Sequence, residues 1–317
     1  MKAVFLDTGS LDCDDLQLDG LSSTASQWCF YPSTSRDQIA PRIADADIVV
    51  VNKVVLDAPV LQQASKLKLI CLAATGTNNV DLLTAREQGI QVSNCQAYGT
   101  ASVAQHVLGL MLALSTRLLQ YQQAVREGLW ASSSRFCLLD FPIVELENKI
   151  LGIVGYGELG KRVADLGKAF GMQVVVAERP GVTPRSGRVT LHDLLPQIDF
   201  LSLHCPLTPQ TQNLIAAQEL ALMKPAAMLI NASRGGIVDE QALVDALNHG
   251  RLAGAGIDVL TEEPPVNGNI LLQCQHPNLI ITPHSAWGSR EARQRIVNQL
   301  QETIQDFIAG RATRVVN

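Results

Sequence analysis

A glycine-rich segment between a predicted strand and a predicted helix is the feature that most constrains the fold. The apolar run ILGIV (150–154) precedes it, the turn itself is GYGELG (155–160), and helix-favouring residues follow directly. In such a turn the first glycine permits a tight bend, the second lets a ligand approach the backbone, and the third lets helix pack on strand. The first N–H groups of the helix have no partner within it and are offered to an anion. The segment therefore predicts a doubly wound α/β domain with a pyrophosphate-binding turn.

An acidic residue follows at the spacing that recognition of an adenosine ribose requires. Glu178 ends the next apolar run, QVVVAE, about 20 residues beyond the turn. Its carboxylate can accept hydrogen bonds from ribose hydroxyls and would repel a 2′-phosphate, which favours NAD over NADP. Arg179 leaves NADP open, because a guanidinium beside the acid can pair with a 2′-phosphate. A methyltransferase, whose nucleoside site also uses a glycine-rich turn and an acid, is the competing interpretation.

Short β-branched runs alternate with helix-favouring segments along the chain, a pattern typical of parallel sheets with crossover helices. Five strand candidates lie before residue 98 and six after residue 148. Between them, residues 102–119 are apolar on nearly every side, which predicts a buried helix, and residues 121–148 show no repeating pattern. A last helix is expected over 289–309. A chain of 317 residues accommodates two domains, so we expect an α/β protein with two Rossmann-like or flavodoxin-like domains.

Composition and charge exclude several classes of function. The net charge is −5, from 25 Lys and Arg against 30 Asp and Glu, which argues against a nucleic-acid partner. No apolar run reaches the length of a membrane span, and Asp7 falls where a secretory signal would still be apolar, so we expect a cytoplasmic protein without a membrane partner. The seven cysteines form no Cys-x-x-Cys pair, so neither a disulfide framework nor a metal site is predicted.

Three polar side chains stand where parallel strands are predicted to end. Arg234 follows MLINAS, Glu263 lies in TEEPP after GIDV, and His284 ends LIITPH. Ligands of open α/β sheets bind at the carboxyl ends of strands, so these side chains are expected at the crevice. A guanidinium binds a carboxylate and polarises a carbonyl. An imidazole held by a carboxylate exchanges a proton near neutral pH. Together these groups suit hydride transfer to a keto acid.

Several phrases of the sequence carry a family resemblance. They are GTNNVDL, TASVAQH, NASRGGIVDE, GIDVLTEEPP and HSAWGSREARQR. With these phrases the chain resembles the D-isomer-specific 2-hydroxyacid dehydrogenases over nearly its whole length, and within them the glycerate dehydrogenase or hydroxypyruvate reductase branch. The resemblance implies a discontinuous substrate domain, residues 1–98 with 286–317, and an NAD-binding Rossmann domain, residues 99–285.

The resemblance also implies a role for individual residues. His284 would be the general acid and base, Glu263 its paired carboxylate, and Arg234 the group that binds and polarises the 2-oxo acid. The implied substrate-binding residues are Thr75, Gly76 and Tyr98. The implied cofactor-binding residues are Gly155, Gly157, Glu158, Leu159, Gly160, Glu178, Arg179, His204, Pro206, Ala232, Ser233 and Asp258. Among these, Asp258 would orient the amide of the nicotinamide.

The activity that the resemblance implies is NADH-dependent reduction of a small 2-oxo acid, hydroxypyruvate or glyoxylate, to the D-2-hydroxy acid. Family members commonly form homodimers through the region that corresponds to residues 101–148. Two alternatives stay open. One is another branch of the family, such as phosphoglycerate or formate dehydrogenase. The other is a nicotinamide-sensing binding module like the corepressors built on this scaffold.

Overall fold

The computed structural model describes all 317 residues and divides the chain into two compact units. One unit consists of Met1–Gly99 together with Gly288–Asn317, and the other is Thr100–Trp287. Each unit is built on one parallel sheet, so the α/β prediction is confirmed.

The first unit contains a five-stranded sheet in the order β2-β1-β3-β4-β5. Its strands are β1 (Lys2–Phe5), β2 (Gln27–Phe30), β3 (Ile48–Val51), β4 (Leu69–Leu72) and β5 (Gln91–Asn94). Its helices are α1 (Asp19–Ser22), α2 (Arg36–Ile43), α3 (Ala58–Leu61), α4 (Leu82–Glu87) and the C-terminal helix Arg290–Ile308, with 3₁₀ turns at Thr8–Ser10 and Cys13–Asp15. This is the flavodoxin-like strand order, whose topological switch point lies between β1 and β3.

Local signals explain where the elements of the first unit start and stop. All four residues of β3 and of β4 are buried, because both faces of the central strands are covered. Helix α4 begins where Asp81 Oδ1 accepts a hydrogen bond from the Thr84 N–H at 3.0 Å, as an N-cap does. The chain leaves α4 through Gly89, whose φ of +70° favours glycine, as expected for a helix stop.

The second unit contains a seven-stranded parallel sheet in the order β12-β11-β10-β9-β6-β7-β8. Its strands are β6 (Ile150–Val154), β7 (Gln173–Ala177), β8 (Arg188–Val189), β9 (Phe200–Leu203), β10 (Met228–Asn231), β11 (Gly254–Ile257) and β12 (Leu279–Ile281). Its helices are α5 (Thr100–Ser115), α6 (Leu118–Arg126), α7 (Glu158–Ala169), α8 (Leu191–Leu194), α9 (Ala217–Leu222), α10 (Glu240–Asn248) and α11 (Ile270–Gln273). Six of these strands match the six predicted after residue 148, and the two-residue β8 is additional.

The predicted long helix over 102–119 is broken in the structure. Helix α5 ends at Ser115, and Arg117 takes a left-handed φ of 56° before α6 begins at Leu118. As expected, α5 is largely buried, packing against α7 and strands β10 and β11. Residues 127–148 form turns without a regular element. No single helix is long and apolar enough to cross a membrane, although α5 and α6, bent by 59°, meet that length and composition as a pair.

Candidate active site

The glycine-rich turn has the shape of an anion cradle. Gly155 has φ +91°, and a Cβ there would lie 2.5 Å from the backbone carbonyl carbon of His204. Only glycine therefore fits at this position, directly after β6. A Cβ on Gly160 would lie 2.1 Å from the Gly155 carbonyl oxygen, so the first turn of α7 also requires glycine at this position. Gly157 faces open space and caps α7 without any side-chain hydrogen bond. The turn therefore fits a dinucleotide pyrophosphate.

The first residues of α7 line this cradle. Glu158 and Leu159 are predicted to offer backbone N–H groups, and their position at the helix start leaves those groups without an intrahelical partner. The Glu158 side chain turns aside and accepts a hydrogen bond from Thr100 Oγ1 at 2.5 Å. The carboxylate is thereby tied to the start of α5.

The carboxylate of Glu178, predicted to receive ribose hydroxyls, is held by arginines. Arg185 donates to it through two nitrogens, Nε at 2.7 Å and Nη2 at 2.8 Å, and Arg188 donates through Nη1 at 3.2 Å. The backbone N–H groups of Arg179 and Arg185 add two more hydrogen bonds. The side chain of Glu178 is 1% exposed. The Arg185 guanidinium holds the pKa of this carboxyl well below its usual range. Sequence analysis named Arg179 but missed Arg185 and Arg188.

His204 and Pro206, also predicted to line the cofactor, follow strand β9. The His204 ring lies 2.8 Å from Ser202 Oγ through Nε2, while its buried Nδ1 has no hydrogen-bond partner. Burial lowers the pKa of His204 to about 4, so the ring is neutral at pH 7. The Pro206 carbonyl accepts a hydrogen bond from Thr211 Oγ1 at 2.6 Å, which folds the segment back on itself.

His284 and Glu263 form a close pair at the carboxyl end of the second sheet. His284 Nδ1 lies 2.6 Å from Glu263 Oε2, and the Leu260 N–H holds Glu263 Oε1 at 2.8 Å. An ionised carboxylate can only accept, so Nδ1 carries a proton and Nε2 is the ring nitrogen left to exchange one with a ligand. The backbone of His284 is left-handed, with φ 51°. The arrangement can perform general acid–base chemistry.

Arg234 lies in the turn after β10, together with the predicted cofactor residues Ala232 and Ser233. Asn231 organises this turn: its Oδ1 accepts from the Ser233 N–H and hydroxyl, and its Nδ2 donates to the Arg234 carbonyl at 3.0 Å. A Cβ on Gly235 would lie 1.9 Å from the Leu260 carbonyl oxygen. Gly235 therefore lets the Arg234 turn touch the loop that carries Glu263.

Asp258 holds the turn that follows His284. Its carboxylate is 1% exposed and accepts hydrogen bonds from Thr282 Oγ1 at 2.5 Å and from the N–H groups of Ser285 and Ala286 at 2.9 and 3.0 Å. The single hydroxyl proton of Thr282 goes to Asp258, so Thr282 Oγ1 accepts from His106 Nε2 at 3.0 Å. Sequence analysis predicted Asp258 as a nicotinamide ligand, but it missed Thr282 and gave His106 no role, since their pairing depends on the packing of α5.

The predicted substrate-binding residues lie in the first unit. Thr75 and Gly76 follow the carboxyl end of β4, where Thr75 Oγ1 donates to the Cys95 carbonyl at 2.9 Å. The Tyr98 carbonyl accepts from Arg295 Nε at 2.7 Å. The predicted catalytic residues Arg234, Glu263 and His284 thus lie in the second unit, and the predicted substrate-binding residues lie in the first.

The second unit has the parallel sheet and the glycine-rich turn that are typical of a nicotinamide-dependent dehydrogenase. Residues 108–286 match the family model described as "D-isomer specific 2-hydroxyacid dehydrogenase, NAD binding domain". The chain is 44% identical over 316 residues to glycerate dehydrogenase from Methylorubrum extorquens, covering 99% of this chain and 98% of that protein. The chain therefore belongs to the D-isomer specific 2-hydroxyacid dehydrogenase family, and its cofactor is NAD, as predicted.

Two further comparisons agree with this membership. The chain is 38% identical over 324 residues to hydroxypyruvate reductase from Blautia hydrogenotrophica, covering the whole of both proteins. Among solved structures, it is similar to the TT0316 protein from Thermus thermophilus, with a TM-score of 0.89, 33% identity and full coverage of both chains. The relatives are oxidoreductases, so the chain is one as well, and the methyltransferase interpretation is wrong.

Proposed function

We propose that this enzyme reduces hydroxypyruvate to D-glycerate with NADH, and glyoxylate to glycolate by the same chemistry. The observation that carries the proposal is the 2.6 Å pair between His284 Nδ1 and Glu263 Oε2. Arg234, Glu263 and His284 follow three strands that are neighbours in the sheet, β10, β11 and β12. Side chains at the carboxyl ends of adjacent parallel strands converge on one ligand. The names of the full-length relatives support the choice of substrate.

In the proposed mechanism the protein supplies the proton and the charge stabilisation. Bound NADH supplies the hydride for the keto carbon. The carboxylate of Glu263 holds His284 through Nδ1, and Nε2 of the same ring donates a proton to the substrate oxygen. The guanidinium of Arg234 stabilises the negative charge that develops on this oxygen before the proton arrives. In the oxidative direction, neutral His284 takes the proton back.

We assign the two units different tasks. Met1–Gly99 with Gly288–Asn317 is proposed as the substrate unit and Thr100–Trp287 as the cofactor unit. Backbone N–H groups of Thr75 and Gly76 would hold the substrate carboxylate, and Tyr98 would line the pocket. Asp258 would bind the nicotinamide amide, since its Oδ2 accepts from the Ala286 N–H and has a second lone pair for a further donor. The family resemblance supports these roles.

A panel of keto acids tests the choice of substrate. NADH oxidation is measured with hydroxypyruvate, glyoxylate, pyruvate and 3-phosphohydroxypyruvate, and NAD reduction is measured with formate. We expect the highest kcat/KM with hydroxypyruvate and lower but measurable turnover with glyoxylate. A higher kcat/KM with 3-phosphohydroxypyruvate, or NAD reduction by formate, would assign the chain to another branch of the family.

We also propose that the enzyme acts as a cytoplasmic homodimer. Large apolar side chains are exposed along α6 and the turns after it, among them Leu118 at 58%, Trp130 at 52% and Phe136 at 91%. Several large apolar side chains exposed in one segment are typical of a protein interface. Sedimentation equilibrium should give twice the chain mass of 34.2 kDa, and Phe136→Glu should shift the enzyme toward monomer. A monomeric wild type would contradict the proposal, and cell fractionation tests the location.

A further inference from the structure

The segment from Glu178 to Arg188 carries more positive charge than an unphosphorylated ribose requires. It contains the arginines 179, 185 and 188 and a single acid, Glu178. In Rossmann-type folds this position, at the end of the strand after the glycine-rich turn, faces the 2′ substituent of the adenosine ribose. Three guanidinium groups against one carboxylate leave the segment with a net positive charge.

The acceptor positions of Glu178 are already filled by the protein. Oε1 receives Arg185 Nη2, Arg188 Nη1 and the Arg179 N–H, while Oε2 receives Arg185 Nε and the Arg185 N–H. A carboxylate has about four lone-pair sites, so ribose hydroxyls can bind it only by displacing an arginine. The carboxylate acts instead as an anchor for the guanidinium groups around it.

Arg185 keeps donors for a further anion. It uses Nε and one Nη2 hydrogen on Glu178, so both Nη1 hydrogens remain, and its side chain is 60% exposed. The guanidinium carbon of Arg188 lies 5.8 Å from the centre of the ring of Tyr156, which is a residue of the glycine-rich turn. The arginine cluster therefore borders the same turn that fits the pyrophosphate.

We propose that residues 178–188 form a subsite for the 2′-phosphate of NADPH, with Arg185 as the residue that determines selectivity. Glu178 is then a positioning residue, which orients Arg185 through a bidentate contact rather than binding the ribose. The enzyme accepts both dinucleotides, because the subsite adds affinity for a 2′-phosphate without excluding the 2′-hydroxyl form. The inference rests on the proposed dinucleotide-dependent function and specifies which dinucleotides that site takes.

Binding without turnover tests the proposal. Fluorescence titration gives the Kd of NADH and of NADPH, with no keto acid present, for the wild type, Arg185→Gln and the control Arg251→Gln. Arg251 is exposed in the turn before β11 and has no role in the proposed site. We expect Arg185→Gln to shift the ratio of the two Kd values at least fivefold against NADPH, and Arg251→Gln to leave it unchanged. A smaller shift would overturn the proposal.

A second measurement needs no variant. Adenosine 2′,5′-bisphosphate should displace NADH from the wild type at a concentration at least fivefold lower than 5′-AMP, and salt should weaken the bisphosphate more. Equal potency of the two nucleotides would overturn the subsite. If NADH binds while NADPH and the bisphosphate do not, only this inference fails. If neither dinucleotide binds, the proposed function itself fails.

Discussion

The left-handed backbone of His284 makes a quantitative prediction about stability. At φ 51°, any residue with a Cβ meets its own carbonyl oxygen, which costs roughly 1–2 kcal/mol, whereas glycine is unstrained. Glycine also increases the conformational entropy of the unfolded chain, which lowers the free energy of unfolding by about 0.4–1 kcal/mol relative to alanine. His284→Gly and His284→Ala lose the contact with Glu263 equally. We therefore expect the glycine variant to be more stable than the alanine variant by about 0.8 kcal/mol, the difference between the midpoints of these two ranges.

Thermal unfolding measures this difference. One kcal/mol corresponds to about 2–4 °C for a domain of 150–250 residues, the size range of the unit Thr100–Trp287. His249 provides the matched control, because it is the C-cap residue that follows α10 and has φ −92°, where alanine carries no strain. There the glycine variant should be the less stable one. Equal stability of the two His284 variants, or greater stability of His284→Ala, would refute the assignment of backbone strain to this position.

Three further predictions concern the second unit and the buried thiols. Gly235→Ala should lower both the free energy of unfolding and kcat, because its Cβ would lie 1.9 Å from the Leu260 carbonyl oxygen; unchanged urea midpoint and kcat would contradict this packing. Burial lowers the pKa of His204 to about 4, so between about pH 6.5 and pH 4 the unfolded chain binds a proton that the folded protein does not. The contribution of the neutral ring to the free energy of unfolding is therefore complete above about pH 6.5, and it falls by up to about 1.4 kcal/mol per pH unit as the pH drops toward 4. His204→Asn should therefore lose less stability than the wild type between pH 7 and 4.5 in urea titrations, and parallel losses would show that the ring is not buried in its neutral form. Burial raises the pKa of Cys95 to about 12 and that of Cys71 further still, so the native protein should leave both thiols unmodified by iodoacetamide, as peptide mapping can show; rapid labelling of either would contradict their burial.

Local sequence signals predicted the features that depend on one or two neighbouring segments. The glycine-rich turn is recognisable because its strand, turn and helix are contiguous in the sequence. Arg234 and His284 are recognisable because each ends an apolar run, and the carboxyl ends of parallel strands meet at one edge of a sheet. The number of strands in the first sheet followed from the same alternation.

Features that depend on tertiary contacts were not predictable in this way. Strand β8 has two residues, too few to show any periodicity, and exists because it pairs with β7. The break at Arg117 lies in the stretch 102–119, whose composition favours a continuous helix and which contains neither glycine nor proline near the break. The two-nitrogen contact between Arg185 and Glu178 depends on a loop conformation, so the charges were visible in the sequence and their pairing was not. The same holds for His106 and Thr282, whose positions are separated by most of the second unit.

The central claim is that His284 Nε2 moves the proton during reduction of the keto acid. The most direct measurement is the steady-state oxidation of NADH by hydroxypyruvate with His284→Ala, together with the Kd of NADH for the same variant and for His249→Ala as control. The account predicts that kcat falls by about 10²–10⁴-fold in His284→Ala, the usual size of general acid catalysis, while the Kd of NADH stays within about threefold of the wild type. A kcat close to that of the wild type, with hydroxypyruvate still reduced, would contradict it.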